Sequence, residues 1–359
     1  MGDIMKILMT GGGTAGHVTP NIALCPELKK QGFQISYVGT KNGIEKELIE
    51  NENIDYYGIE AGKLRRYFSK ENLRDISKIW RGFIESLKYI DLIEPDVVFS
   101  KGGFVSCPVV WAAWVKKVPV IIHESDLTPG LANKLSMPFA RKICYAFPKT
   151  SEYLPRKKSI LTGIPVREEI LKGDRERGLN LCNFNTKKPI VLIIGGSLGA
   201  KAINEKVRLY LTHLLKEYQI CHICGKNSLD FNLNGLEGYV QYEYVDNELK
   251  DLIAMSDIVV SRAGATTLFE LLCLGKPSIL VPLPKAVSRG DQILNATYFE
   301  KEGYSKILEE DKLEENELLT SLKEVLKNKD YYIENMRNSE IRNSIDIIVN
   351  TIIEERKGK

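Results

Sequence analysis

Glycine-rich turns follow apolar, strand-like segments at three places in the chain, and turns of this kind bind phosphate groups. They lie at residues 11–16, 101–104 and 195–200. A glycine turn between a strand and a helix leaves backbone N–H groups unpaired at the positive end of the helix, which attracts an anion. The first two turns would meet at one edge of a sheet. We therefore expect them to hold a diphosphate together, through Gly12, Gly13, Gly102 and Gly103.

Residues 258–282 contain a fourth anion-binding pattern. A β-branched strand is followed by Arg262 and by the small residues 264–266, which open a helix. One helical turn further on, Glu270 is placed so that its carboxylate could accept hydrogen bonds from both hydroxyls of a ribose. A phosphate-binding turn combined with such an acid favours a nucleotide. An ordinary strand–helix–strand connection with a surface glutamate would show the same pattern.

Two further segments carry groups that can move protons. His17 lies in the first glycine turn, where little apolar surface is available to bury it. The ordinary pKa of a histidine, about 6.5, suits general-base catalysis at neutral pH. The segment His123-Glu124-Ser125-Asp126 ends a later strand. The structural alternatives are that His17 only hydrogen-bonds a helix start, and that Ser125 or Asp126 caps a helix.

Several patterns argue against cofactors and metals. Residues 11–16 match the G-x-G-x-x-G dinucleotide fingerprint, but the second strand ends in Val-Gly-Thr-Lys (residues 38–41) and lacks the acid that should follow it. Cys221 and Cys224 form a C-x-x-C pair without further ligands, which favours a buried strand. The chain has no Asp-x-Asp pair. We therefore expect no metal and no cofactor, and helix dipoles and arginines would stabilise a leaving diphosphate.

Strands and helices alternate along the whole chain, which is typical of the α/β class with parallel sheets. The predicted elements include a helix from about residue 70 to 93, a polar helix end and loop at 174–188, a strand at 190–194 and one helix at 202–216.

The pattern restarts near residue 163. We predict two Rossmann-like parallel-sheet domains facing across a cleft, residues 1–162 and 163–340, and a final helix within 341–359 that packs back on the first domain. A net charge of +3 gives no reason to expect nucleic acid binding. The seven cysteines lack framework spacing, which favours a reducing cytoplasm over secretion.

Residues 63–88 combine an apolar stripe with many cations. Aromatic residues beside cations suit an anionic bilayer surface, although a helix packed on the sheet with a solvated basic face would have the same sequence. No run approaches the roughly 20 apolar residues of a membrane span, so we expect peripheral contact only. The stripe comprises Leu73, Ile76, Trp80, Phe83 and Leu87, and the cations are Arg65, Arg66, Lys70, Arg74, Lys78, Arg81 and Lys88.

Together these motifs resemble the GT-B glycosyltransferases that use UDP-GlcNAc in bacterial peptidoglycan synthesis. The likeness covers nearly the whole chain, because the three glycine turns, residues 262–270 and residues 292–296 occur in the order of that family. The chain departs from the family pattern at Ser125 and Asp126, where the family commonly has Gln and Asn. It departs again at Asp291, where Gln or His is common.

The resemblance implies transfer of GlcNAc from UDP-GlcNAc to the 4-hydroxyl of MurNAc in lipid I, with inversion, by a peripheral enzyme at the cytoplasmic face of the membrane. Its partners would be UDP-GlcNAc, undecaprenyl-linked lipid I and an anionic membrane surface. His17 would be the base, with Glu124 as the rival. A UDP-sugar epimerase and, less favoured, a nicotinamide-dependent oxidoreductase remain alternatives. The residues expected to bind the donor are Thr14, Ala15, Gly16, Asp126, Arg167, Ser197, Val245 (uracil), Arg262, Gly264, Ala265, Thr266, Thr267, Leu268, Phe269, Glu270 (ribose) and Gln292.

Overall fold

The computed structural model describes residues 4–62, 70–196, 199–286, 288–341 and 344–356, with side chains in the helix that begins at Lys70 described from Asp75 onward. The chain divides into two compact units. The first unit contains Met1–Arg167 and Ile341–Lys359, and the second contains Glu168–Glu340. The polypeptide therefore enters the second unit after Arg167 and returns to the first unit at Ile341.

A parallel sheet of seven described strands forms the centre of the first unit, in the order β3-β2-β1-β4-β5-β6-β7. β1 pairs with β2 on one side and with β4 on the other, so the order of the strands reverses beside β1. The strands are β1 (Met5–Thr10), β2 (Phe33–Thr40), β3 (Asp55–Ile59), β4 (Val97–Ser100), β5 (Val120–Glu124), β6 (Lys142–Tyr145) and β7 (Ser159–Leu161).

The second unit repeats this design with a parallel sheet of six described strands, in the order β10-β9-β8-β11-β12-β13. Renumbered from its own first strand, this is the 3-2-1-4-5-6 order of the Rossmann fold. Cys221 lies in β9 and is buried, as expected for the C-x-x-C pair, and Cys224 follows directly and is also buried. The strands are β8 (Ile190–Ile194), β9 (Gln219–Ile223), β10 (Tyr239–Tyr242), β11 (Ile258–Ser261), β12 (Ser278–Leu280) and β13 (Lys306–Ile307).

Helices connect the parallel strands in both units. In the first unit they are α1 (Thr19–Lys30), α2 (Ile44–Glu50), α3 (Lys70–Ile93), α4 (Ser106–Val115) and α5 (Leu131–Ser136). In the second unit they are α6 (Arg175–Cys182), α7 (Lys201–Leu209), α8 (Leu211–Glu217), α9 (Leu249–Met255), α10 (Ala265–Leu274), α11 (Asp291–Lys301), α12 (Glu315–Lys327) and α13 (Lys329–Arg337). The last described helix, α14 (Ser344–Glu355), lies in the first unit.

The sheet of the first unit is buried on both faces, as parallel sheets with near-continuous apolar strands require. One face packs against α1 and α14, with Leu24, Leu28, Ile348 and Ile352 in a shared core. The other face packs against α4, where Val109 and Val110 are fully buried. The final helix therefore completes the core of the first unit.

The fold class predicted from the sequence, α/β with two Rossmann-like parallel-sheet domains, is confirmed. Two local expectations were wrong. Residues 202–216 were expected in one helix, but α7 ends at Leu209 and α8 begins at Leu211, with Tyr210 between them. The polar stretch after Asp174 was expected as a helix end and loop, but it contains α6, which the Asp174 side chain caps by accepting from Arg177 N at 2.8 Å. Among the described residues, no helix is long and apolar enough to span a bilayer.

Candidate functional site

In the first unit, two glycine turns lie at the carboxyl ends of β1 and β4, where the strand order reverses. Ligands of open α/β sheets bind in the crevice at such a point. The turns are in direct contact, because a β-carbon at Gly103 would overlap the carbonyl oxygen of Gly12. A β-carbon at Gly13 would lie 2.7 Å from the ring of Phe104. Gly13, Gly102 and Gly103 have φ values of +87°, +89° and +83°, which favour glycine. These contacts bring together the four glycines predicted to bind a diphosphate.

Glu45, in the first turn of α2, holds the first glycine turn in place through hydrogen bonds. Its carboxylate accepts hydrogen bonds from Gly13 N at 3.3 Å and from Thr40 N at 2.9 Å. The Thr40 hydroxyl donates to the same carboxylate at 2.5 Å. Glu45 is fully buried, and its hydrogen bonds connect the first glycine turn to the end of β2. This role for Glu45 was not predicted from the sequence.

His17 closes the first glycine turn in a short 3₁₀ segment, Ala15–His17. The residue is half-buried, and its Nδ1 lies 2.9 Å from the Thr14 hydroxyl oxygen. If Nδ1 carries the hydrogen and donates to Thr14, Nε2 keeps its lone pair, which is the tautomer that a base needs. Thr14 thus holds the imidazole in one orientation.

Glu124, the rival base, is buried and heavily hydrogen-bonded. Its carboxylate accepts from Asp126 N at 2.9 Å, Gly130 N at 3.0 Å and Asn133 Nδ2 at 2.8 Å. Burial, and next the charge of Asp126, raise the pKa of Glu124 to about 7, against the opposing effect of these three hydrogen bonds. Only 3% of the residue is exposed, so its clearest role is to fix the turn at residues 125–130.

Lys101, which precedes the second glycine turn, is a buried cation that the sequence reading did not single out. Its Nζ lies 2.9 Å from His123 Nδ1 and contacts the Ser125 hydroxyl. His123 Nε2 lies 2.8 Å from the Gly163 carbonyl oxygen, so Nε2 carries the hydrogen and Nδ1 accepts from Lys101. Burial, aided by the charge of Lys101, holds the pKa of His123 well below its usual range, and the imidazole is neutral.

A cavity of about 570 Å³ adjoins the first glycine turn within the same unit. Gly13 and Phe104 form one part of its wall, and the loop after β2 forms another. Charged side chains of both signs line it, among them Lys41, Glu60 and Lys78. The volume falls in the range of about 300–1,000 Å³ that is usual for small-ligand pockets.

The second unit has the same arrangement at its own switch point, between β8 and β11. The turn after β8 contains Gly195, Gly196 and Gly199, and the predicted donor residue Ser197 lies outside the described residues. After β11, Gly264 caps the amino end of α10 with a φ of −68°. A β-carbon at Gly264 would meet nothing within 4 Å. A side chain at Gly264 would therefore enter open space beside the amino end of this ten-residue helix, and the amino ends of helices are the places where anions bind.

The predicted donor residues on α10 divide by helix face. Leu268 and Phe269 are fully buried, and the ring of Phe269 packs at 6.0 Å from that of Phe299. Their side chains belong to the core, so the backbone is the part of these two residues that is available to a donor. Ala265 is also buried, whereas Thr266, Thr267 and Glu270 are half-buried. Glu270 lies on the partly exposed face.

Arg262 and Gln292 are both engaged within the second unit. The guanidinium of Arg262 lies 2.5 Å from Glu310 and donates to the Val281 carbonyl at 3.1 Å, which leaves further N–H groups for a phosphate. Gln292, in the first turn of α11, accepts from Leu283 N at 3.1 Å. Nothing in the sequence pointed to Glu310 as the partner of Arg262.

The remaining expected donor residues are distributed between the two units. Val245 is half-buried in the loop after β10. Because the strands are parallel, this loop and Gly264 both lie on the side of the sheet where the strands have their carboxyl ends. The first unit contains the others, which are Thr14, Ala15, Gly16, Asp126 and Arg167.

Asp291, one of the departures from the family pattern, forms an ion pair with Arg289 at 2.5 Å. No cluster of three or more His, Cys, Asp or Glu side chains suited to a metal ion occurs within the described parts of the chain.

Comparison with known proteins identifies the family. The glycosyltransferase family 28 N-terminal domain matches residues 7–145, and the family 28 C-terminal domain matches residues 190–350. The chain belongs to glycosyltransferase family 28. A family 28 relative from Clostridium perfringens is 54% identical over 97% of both chains, and one from Clostridium tetani is 53% identical over 97% of both. Each is named UDP-N-acetylglucosamine–N-acetylmuramyl-(pentapeptide) pyrophosphoryl-undecaprenol N-acetylglucosamine transferase.

Solved structures agree with the family 28 assignment. The crystal structure of Acinetobacter baumannii MurG superposes with a TM-score of 0.74 and 28% identity, over 98% of this chain and 99% of that one. A UDP-GlcNAc 2-epimerase from Neisseria meningitidis superposes with a TM-score of 0.70 but only 17% identity, over 98% of this chain and 100% of that one. The epimerase therefore shares the fold alone, and the fold by itself does not separate the two reactions.

Proposed function

We propose that this chain transfers GlcNAc from UDP-GlcNAc to the 4-hydroxyl of MurNAc in undecaprenyl-pyrophosphoryl-MurNAc-pentapeptide, with inversion at the anomeric carbon. The observation that carries the proposal is the 54% identity, over 97% of both chains, to a transferase named for this donor and acceptor. The epimerase alternative is supported only by structural neighbours of 17% identity or less.

The second unit would hold the donor. UDP leaves with negative charge on its diphosphate, and the amino end of α10, beside the open space at Gly264, presents the positive end of the helix dipole. A fixed dipole of this kind stabilises developing charge without reorganisation. Glu270 would accept hydrogen bonds from the ribose hydroxyls, and Val245 would hold the uracil through its backbone. Arg262 would add charge to the phosphate site while Glu310 keeps its guanidinium in place.

The first unit would hold the acceptor. The touching glycine turns would bind the acceptor diphosphate through Gly12, Gly13, Gly102 and Gly103. The cavity beside Gly13 is the space that we assign to the N-acetylmuramyl-pentapeptide. The attacking hydroxyl has a high pKa, so its proton must be removed in the transition state. His17, oriented by Thr14, would take it, because Glu124 already accepts three hydrogen bonds and is almost fully buried.

A peripheral membrane contact on the cytoplasmic face belongs to the same proposal, because the acceptor carries an undecaprenyl chain. Ile76, Trp80 and Ile84 of α3 are 55%, 64% and 41% exposed, whereas Phe83 and Leu87 pack on the core. Lys78 and Arg81 are exposed on the same helix. Leu73 and the cations at 65, 66, 70 and 74 lie outside the described side chains. Part of the predicted stripe is therefore core, and the exposed part is what we assign to the bilayer.

Release of UDP in the presence and absence of acceptor tests the proposed function. Purified protein is mixed with UDP-GlcNAc, with or without a soluble lipid I analogue. We expect UDP release only with the acceptor. Epimerised sugar nucleotide without acceptor would instead support an epimerase, and a change in nicotinamide absorbance in a parallel assay with added NAD⁺ or NADH would support an oxidoreductase.

A further inference from the structure

The buried cation Lys101 lies under the second glycine turn, and the proposed chemistry leaves it without a role. The residue is 1% exposed. An isolated ammonium at such depth is costly unless opposite charges or hydrogen bonds compensate it. Its Nζ contacts His123 Nδ1 at 2.9 Å and the Ser125 hydroxyl. Both partners are neutral, so they do not balance its charge.

The charges that face Lys101 come from the end of β5 and the turn after it. Glu124 and Asp126 stabilise the ammonium electrostatically and oppose the burial that lowers the pKa of Lys101 to about 8. His123 is neutral, and burial raises the pKa of the Cys144 thiol on β6 to about 12, so neither adds charge at neutral pH. Two acidic side chains and one ammonium thus share a buried cluster, and removal of the Lys101 charge makes that cluster more negative by one charge.

This cluster adjoins the candidate acceptor site. Lys101 directly precedes Gly102, and a β-carbon at Gly102 would lie 3.1 Å from Asn133 Oδ1. Asn133 in turn donates to Glu124 at 2.8 Å and to the His123 carbonyl at 3.0 Å. The carboxylates and the glycine turn are therefore parts of one packed assembly. A diphosphate bound at that turn would be repelled by the two carboxylates if nothing offset them.

We propose that Lys101 is a positioning residue that holds the turn at residues 125–130 against the second glycine turn and offsets the charge of Glu124 and Asp126 beside the acceptor diphosphate. The inference rests on the proposed function for the identity of the anion. It also accounts for two of the departures from the family pattern, since Ser125 supplies a hydroxyl to the ammonium and Asp126 supplies a countercharge.

A double-mutant cycle of Lys101→Met and Asp126→Asn tests this inference. Lys101→Met keeps the length of the side chain but removes the charge. We expect it to raise the acceptor KM by about 10- to 100-fold, as for loss of a charged interaction, with donor KM within about threefold of wild type. Adding Asp126→Asn should recover most of that loss, because it removes one negative charge from the cluster after the positive charge of Lys101 has been lost. Equal rises in both KM values, or no recovery in the double variant, would overturn the proposal.

A second readout needs no transfer activity, so it separates failure of this inference from failure of the proposed function. Folding lowers the pKa of Lys101 from 10.5 to about 8, so the unfolded state binds more protons between these values. Wild type should therefore gain stability relative to Lys101→Met as pH rises from about 8 to 10.5. Chemical denaturation of the two single variants and the double variant should give non-additive losses of unfolding free energy, and additive losses would contradict the interaction of Lys101 with Asp126. If Lys101→Met does not fold, Ser125→Ala, which removes the hydroxyl that contacts the ammonium, should raise acceptor KM while donor KM stays unchanged, and an unchanged acceptor KM would count against the proposal.

Discussion

Gly103 packs so tightly on Gly12 that no side chain fits between the two glycine turns of the first unit. A β-carbon at Gly103 would overlap the Gly12 carbonyl oxygen, and the Gly103 φ of +83° is itself unfavourable for other residues. Gly103→Ala should therefore cost both stability and transfer. Gly235→Ala is the matched control, because Gly235 has a φ of +80° but open space within 4 Å.

We expect Gly235→Ala to cost about 1–2 kcal/mol of unfolding free energy from backbone strain alone. Gly103→Ala should lower the unfolding free energy further, because its β-carbon would overlap the carbonyl oxygen of Gly12. It should also lower kcat/KM for the acceptor. Chemical denaturation and steady-state kinetics measure the two effects. Equal stability losses in the two variants would show that the turns separate easily and are not a fixed pair.

His17→Ala should lower kcat by about 10²-fold or more, the usual contribution of a positioned base, with donor affinity nearly unchanged. Thr14→Val is the companion variant, since it removes the oxygen that Nδ1 contacts at 2.9 Å but keeps the imidazole. It should lower kcat less than His17→Ala does. Steady-state kinetics and UDP titration provide the measurements. A larger kcat loss in Glu124→Ala, with near-normal kcat in His17→Ala, would reverse the two roles.

Glu270→Ala should raise the KM for UDP-GlcNAc by about 10- to 150-fold, the loss of about 1.5–3 kcal/mol from charged hydrogen bonds to the ribose. Glu205→Ala, which removes an exposed acid from α7 of the same unit, should leave that KM unchanged. The donor KM of each variant is measured from saturation curves at a fixed acceptor concentration. If the two variants have the same donor KM, Glu270 does not bind the ribose.

Much of the fold and part of the candidate site follow from local sequence. The strand at Ile190–Ile194 and the helix at Lys70–Ile93 were predicted with the bounds that the structure has, because apolar periodicity is a local signal. The pairs Lys101–Ser125 and Arg262–Glu310 were not predicted, because their members lie on different elements that only the folded sheet brings together.

The family resemblance assigned residues on both faces of α10 to the donor site. Leu268 and Phe269 lie within a matching stretch, but α10 turns both side chains into the core. A contiguous motif on a helix necessarily contains residues on both faces, because one turn takes about 3.6 residues. Burial in the structure separates those that can meet a ligand through side chains from those that support the helix.

Reversing the charges of Lys78 and Arg81 to Glu should reduce binding to anionic vesicles, because each cation near such a surface contributes about 1 kcal/mol. Trp80→Ser should reduce it independently of salt, since it removes exposed apolar surface. UDP binding, which we assign to the second unit, should stay unchanged in both variants. Vesicle sedimentation at low and high salt gives the answer. Undiminished sedimentation in all variants would make α3 a packed element with a solvated face.

The structure of the product tests the proposed reaction most directly. Protein, UDP-GlcNAc and a lipid I analogue are incubated, and the disaccharide product is characterised by NMR for the linkage position and for the coupling constant of the new anomeric proton. Inverting transfer to the 4-hydroxyl predicts a β-1,4 linkage between GlcNAc and MurNAc, with one UDP released for each disaccharide formed. An α-linkage, attachment at another hydroxyl, or consumption of UDP-GlcNAc without a disaccharide would contradict it.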